Sequence, residues 1–168
     1  MKKIVIIYGS TTGNTESAAK NIAGKLSTEE VRLIDVANLK AGDPDAFPNL
    51  ILGTSTWGFG DLQDDWESAL SILAKSDLTG KKVALFGLGD SDAYADTFVN
   101  GMGILYETLE DKGCEFIGKV PVDGYTFDAS QAVRDGYFVG LALNEDGESN
   151  LTDARIKQWI AQILPEFK

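Results

Sequence analysis

One stretch near the start of the chain limits what it can fold into: Gly9-Ser10-Thr11-Thr12-Gly13-Asn14-Thr15, set between an apolar run and an amphipathic segment. Ahead of it, Ile4-Val5-Ile6-Ile7-Tyr8 is β-branched, of strand length and continuous rather than alternating, as suits a strand covered on both faces of a parallel sheet. Behind it, Ala18/Ala19, Ile22/Ala23 and Leu26 recur at helical spacing. A strand, a tight loop of glycines and hydroxyls, and then a helix leave the unpaired N–H groups of the first helical turn aimed at one spot, where an oxyanion fits.

The loop chemistry narrows that anion. Ser10, Thr11, Thr12 and Thr15 offer hydroxyls and Asn14 an amide, while the next cationic side chain is Lys20. Gly13-Asn14-Thr15 lacks the lysine with which a Walker loop reaches the outer phosphates of a nucleoside triphosphate. Ser10, Thr11 and Thr12 follow Gly9 where a dinucleotide fingerprint needs a further glycine. A single phosphomonoester held by neutral donors is the expected guest, and a plain Gly/Ser/Thr connection with no ligand is the alternative.

A length of 168 residues predicts one domain, residues 1–168, with a sizeable core. Fifteen Lys and Arg against 26 Asp and Glu give a net charge of −11, which argues against nucleic acid or an anionic membrane and for a basic partner, or for solubility alone. The lone Cys114 allows no internal disulfide or cysteine metal cluster and is expected as a small core residue. Lys2-Lys3 precedes an apolar run too short for a signal peptide, and no stretch approaches a membrane span, so a cytoplasmic protein is expected.

Along the chain, Val31–Val36 reads as a second strand, Leu50–Gly53 as a third and Lys82–Phe86 as a fourth. Helical stripes intervene at Trp66, Ala69, Leu70 and Leu73 and at Phe98, Met102, Leu105 and Leu109. Glu115-Phe116-Ile117 opens a fifth strand that Val139–Leu143 continues, so that about 120–138 reads as an insertion splitting it; long ordered insertions are often functional. Ile156, Trp159, Ile160 and Ile163 mark a last helix, with Asn150 or Thr152 as its cap. The alternation predicts a doubly wound parallel sheet with helices on both faces and ligands beyond the carboxyl ends of its strands.

Three polar, glycine-bearing loops should then share one rim: Ser10 to Thr15, Thr54-Ser55-Thr56-Trp57-Gly58-Phe59-Gly60, and Gly87-Leu88-Gly89-Asp90-Ser91-Asp92-Ala93-Tyr94. Trp57 and Tyr94 are aromatics among small residues in loops that should face solvent, which suits a flat ligand better than a core. Together the three loops resemble those of the flavodoxins over essentially the whole chain, and the insertion resembles the long-chain subgroup. The family's phosphate pattern is met by Ser10, Thr12, Gly13 and Thr15, its tryptophan loop by Thr56-Trp57-Gly58, and its tyrosine loop by Gly89-Asp90 and Tyr94-Ala95-Asp96. The resemblance implies a five-stranded sheet of order 2-1-3-4-5 with FMN at the switch point; flavodoxin is the standard example of that rule. It further implies that Trp57 and Tyr94 sandwich the isoalloxazine, that Asp90 and neighbouring backbone meet its pyrimidine edge, and that Thr56 and Asp146 reach the ribityl chain. Gly58 would occupy the turn facing the flavin N5 atom.

By that resemblance the chain is an electron carrier rather than an enzyme, a monomer serving partners such as ferredoxin-NADP reductase, photosystem I, nitrogenase or pyruvate oxidoreductases. With no histidine the chain lacks the commonest general acid or base and the commonest metal ligand. An FMN-dependent quinone reductase is the alternative, and it needs a substrate pocket above the ring that nothing in the sequence marks. A phosphoacceptor signalling domain needs carboxylates where Gly9-Ser10 and Gly53-Thr54 stand, and Asp90-Ser91-Asp92 fails as a calcium loop because Tyr94 and Ala95 follow. Acids beside the tryptophan loop (Asp61, Asp64, Asp65, Glu67) and through the tyrosine loop form either a solvated rim or a surface that steers basic redox partners. A unit charge about 10 Å from the ring at a dielectric of about 20 disfavours an added electron by roughly 1.7 kcal/mol. That is about 70 mV, so a low potential is expected.

Overall fold

The continuous apolar run at the start of the chain is explained by a strand with both faces covered. In the computed structural model, which describes residues 1–168, β1 (Lys3–Gly9) sends Ile4, Ile6 and Tyr8 into one core and Val5 and Ile7 into another. It leads to α1 (Asn14–Lys25), β2 (Glu30–Asp35), β3 (Asn49–Trp57), a two-residue β4 (Asp61–Leu62), α2 (Trp66–Lys75), β5 (Lys82–Leu88) and α3 (Asn100–Leu109). Then come β6 (Glu115–Ile117), three two-residue strands β7 (Val120–Pro121), β8 (Val133–Arg134) and β9 (Tyr137–Phe138), β10 (Leu141–Leu143) and α4 (Glu145–Ile163).

The main sheet is parallel in the order β2-β1-β3-β5, and β6 and β10 share the outer edge of β5. Lys82–Ala84 pair with Glu115–Ile117, and Phe86–Leu88 with Leu141–Leu143, so one line of pairing is interrupted by the chain between them. With β5 counted fourth and the divided strand fifth, this is the expected order. Ile51, Ala84 and Phe86 join Ile4 and Ile6 under α1 and α4, while Leu50, Leu52, Val83 and Leu85 join Val5 and Ile7 under α2 and α3. Cys114 is half-buried against the second of these cores, and burial pushes its thiol up, as fits a packing residue rather than a reactive one.

The inserted chain has a fold of its own. β7, β9 and β8 form a small antiparallel sheet whose tight turn places Asp135 (φ 52) and Gly136 (φ 80) in successive left-handed conformations. Phe98, Tyr125, Phe127 and Phe138 pack together, with neighbouring ring centroids 4.9–6.2 Å apart. Phe138 and Ala132 are fully buried in the α2/α3 core. Two local expectations shift. Phe98 lies just ahead of α3 rather than on it, and α4 begins at Glu145, capped by Asn144 instead of Asn150 or Thr152. Asn144 Oδ1 accepts from the Gly147 amide at 3.1 Å, and helical geometry breaks at Glu148 before resuming. The apolar stripe begins only after that break, so the helix starts earlier than its periodicity shows.

Candidate functional site

The parallel sheet brings the carboxyl ends of β1, β3 and β5 to one rim, and the three polar loops meet there around a cleft of about 150 Å³. Thr12, Asn14 and Thr15 line one end of it, Ser55, Thr56, Trp57 and Gly58 one wall, and Leu88, Gly89, Asp90 and Tyr94 the other. Larger grooves run along the edge strand β2 (about 570 Å³) and beside the insertion (about 410 and 360 Å³). None of those gathers the ends of several strands, so the smaller cleft has the stronger claim on chemistry.

At its first end, Gly13 (φ 98) stands at the N-cap of α1 and gives that helix no capping side chain. The amides of Asn14, Thr15 and Glu16 have no acceptor within the chain, and Thr15 is only 1% exposed although it lines the cleft. Ser10 Oγ accepts from the Gly13 amide at 3.1 Å, which leaves its own hydrogen free. Orphaned amides plus uncharged hydroxyls at a helix N-terminus suit a phosphate.

The tryptophan wall is more regular than a loop. Thr54 to Trp57 still belong to β3, and Thr56 and Trp57 pair with Leu62 and Asp61 of β4 in a hairpin. Its turn is closed by a 3.1 Å bond from the Gly60 amide to the Trp57 carbonyl, with Gly58 at φ 55. Trp57 is 39% exposed, and its indole N–H donates to Ser55 Oγ at 2.7 Å, which orients the ring. Thr54 is buried below and donates to the Ser55 carbonyl. Phe59 is 95% exposed and Gly60 packs on Asn100, so neither lines the cleft.

On the opposite wall Tyr94 is 53% exposed. Asp90 Oδ1 accepts from the amides of Asp92 and Ala93, both at 3.0 Å, so half of this carboxylate holds the loop's own turn. Asp96 sits exposed in a short 3₁₀ turn away from the cleft, whereas Asp146 lines it. Glu145 lines it too and was not anticipated. Nor were the buried Ser91, Asn100 and Asn144, which with the anticipated Thr56 fasten the loops together. Asn144 donates to Ser91 Oγ at 2.6 Å, and Asn100 Oδ1 accepts from the Gln131 amide at 2.8 Å while Thr56 Oγ1 accepts from the Gly101 amide at 2.9 Å. Asn144 was findable, since an Asn ahead of an acidic run is an N-cap signal; the others carry no local signal.

The flavodoxin family profile matches residues 6–159. The flavodoxin of Nostoc sp. is 46% identical over 166 residues, covering 99% of this chain and 98% of its own length. That of Helicobacter pylori is 42% identical over 167 residues, 99% of both. Among solved structures, Fusobacterium nucleatum flavodoxin bound to flavin mononucleotide matches with a TM-score of 0.95 at 36% identity, covering 100% of each chain. A cleft of this make, on this sheet, in a chain this close to those proteins along its whole length, belongs to a member of the flavodoxin family.

Proposed function

We infer that the chain is a low-potential carrier that holds FMN non-covalently and passes one electron at a time between redox proteins. The observation that carries this reading is the convergence, on one rim, of an uncharged phosphate cradle and two exposed aromatic side chains. Ser10, Thr11, Thr12, Asn14 and Thr15, with the amides of the first turn of α1, hold the phosphate. Thr56 and Asp146 reach the ribityl chain. Trp57 and Tyr94 cover the two faces of the ring, and the Gly89–Asp90 backbone meets its polar edge. FMN supplies the capacity to take up electrons singly. The protein's part is to bind, to exclude water from the ring faces and to leave one edge accessible. Residues 1–168 act as one FMN-binding unit, monomeric and cytoplasmic, with basic redox proteins as partners.

The test is purification of the chain, flavin analysis and reductive titration. FMN bound one to one, reduced in two separable one-electron steps, with no steady-state turnover of quinones, is expected. A chain that binds no FMN, or one that turns over a quinone with a nicotinamide donor, refutes the carrier reading.

A further inference from the structure

Gln63 is 1% exposed, yet it stands at the edge of the phosphate loop, directly after β4 on the hairpin that carries Trp57. Its whole amide is engaged. Oε1 accepts from the Asp65 amide at 3.1 Å, and Nε2 donates to Asp65 Oδ2 at 2.9 Å and to Thr11 Oγ1 at 3.2 Å. The two contacts with Asp65 fix which end of the amide is which, because an N–H needs the oxygen and a carboxylate needs the nitrogen. The nitrogen therefore faces Thr11, and the Thr11 hydroxyl must accept. With one lone pair occupied, its own hydrogen must point away from Gln63 and is left free to donate. The packing is close: a Cβ on Gly9 would run into both Gln63 Oε1 and the Trp66 indole, so the first residue of the loop is kept bare by these two side chains together.

We propose that Gln63 is a positioning residue of the phosphate cradle: through its hydrogen bond it sets the Thr11 hydroxyl as a donor to the phosphate. This rests on the FMN reading above and adds a residue that touches no part of the ligand. A neutral cradle has no lysine to attract a dianion, so the direction of each hydroxyl hydrogen matters, and a buried amide with both hydrogens committed is a rigid way to set one.

The experiment titrates the apo chain with FMN and with riboflavin, which lacks the phosphate. Thr11→Val and Gln63→Leu should each weaken FMN roughly two- to tenfold, the worth of one hydrogen bond, and leave riboflavin unchanged. The double variant should bind FMN no more weakly than Thr11→Val alone, since Gln63 acts through Thr11. Equal losses for FMN and riboflavin, an unchanged FMN affinity in either single variant, or losses that add in the double variant would overturn the proposal. Thr11 is exposed, so Thr11→Val keeps the fold, and its FMN-to-riboflavin ratio decides the matter should Gln63→Leu not fold. Failure of the unsubstituted chain to bind FMN would instead remove the flavin reading itself.

Discussion

Gly58 shows how much one residue can carry at this rim. It holds φ 55 inside the Trp57–Gly60 turn, a left-handed conformation that costs a side chain with a Cβ about 1–2 kcal/mol and glycine almost nothing. An added Cβ would also lie 3.1 Å from Asp61 Oδ2, so the carboxylate of the facing strand would have to give way. The turn borders the cleft beside Trp57, where the reactive edge of a flavin sits in the proposed arrangement. With FMN held there, uptake of an electron and a proton would give the ring edge an N–H to donate, and the Gly58 turn is the part of this wall that could present a backbone carbonyl to it. Gly58→Val should therefore keep FMN bound, because the phosphate loop and Tyr94 are untouched. It should make the first one-electron potential more negative by several tens of millivolts, given about 59 mV per tenfold change in equilibrium. Potentiometric titration against dyes of known potential checks this, and a first potential equal to that of the parent would remove the role given to the turn.

Among the elements, the insertion departs furthest from what periodicity can show. β1, β3 and β5 were legible because each is a run of apolar residues with both faces buried, as in Leu50–Leu52 and Val83–Phe86, whereas β2, mostly exposed at the sheet's edge, showed only through Val31, Leu33 and Ile34. β4, β7, β8 and β9 have two residues each, too few for any period to register. The Asp135-Gly136 pair was a usable turn signal, but Gln63, Asn100 and Ser91 looked like ordinary surface residues, because burial of a polar side chain is set by tertiary contacts. Packing ties the inserted segment, about 120–138, to the rest of the fold. Phe138 and Ala132 fill the core, the amides of Asp128 and Ala129 both donate to the Ala95 carbonyl, and Ser130 Oγ donates to the Phe98 carbonyl. The insertion thus braces the tyrosine loop. Phe138→Ala should cost about 3–5 kcal/mol of stability, the range for a buried aromatic cut to Ala. Denaturant unfolding of the apo chain measures it, and a loss under about 1 kcal/mol would show the segment to be separable after all.

For the whole molecule the governing quantity is a net charge of −11 that is not spread evenly. Asp61, Asp64, Asp65 and Glu67 stand exposed at the tryptophan hairpin and the start of α2, and Asp92, Asp96 and Asp146 are exposed on the other side of the cleft. Such a rim attracts a basic partner over a distance set by the ionic atmosphere, about 30 Å at 0.01 M salt but only about 10 Å at 0.1 M. Reduction by a basic reductase should therefore slow steeply as salt is raised, while the fold itself gains stability as self-repulsion is screened. Net charge alone would give some salt dependence, so location has to be separated from amount. Asp64→Lys and Asp111→Lys each change the charge from −11 to −9, but Asp64 lies on the rim, whereas Asp111 follows α3 towards the amino ends of the strands, close to where β6 begins. Steering by the rim requires that Asp64→Lys lower the low-salt stopped-flow rate well below that of Asp111→Lys, with the two converging once salt screens both. Equal rates for the two variants at low salt would assign the effect to overall charge, and a parent rate that stays flat with salt would remove electrostatic steering from the account.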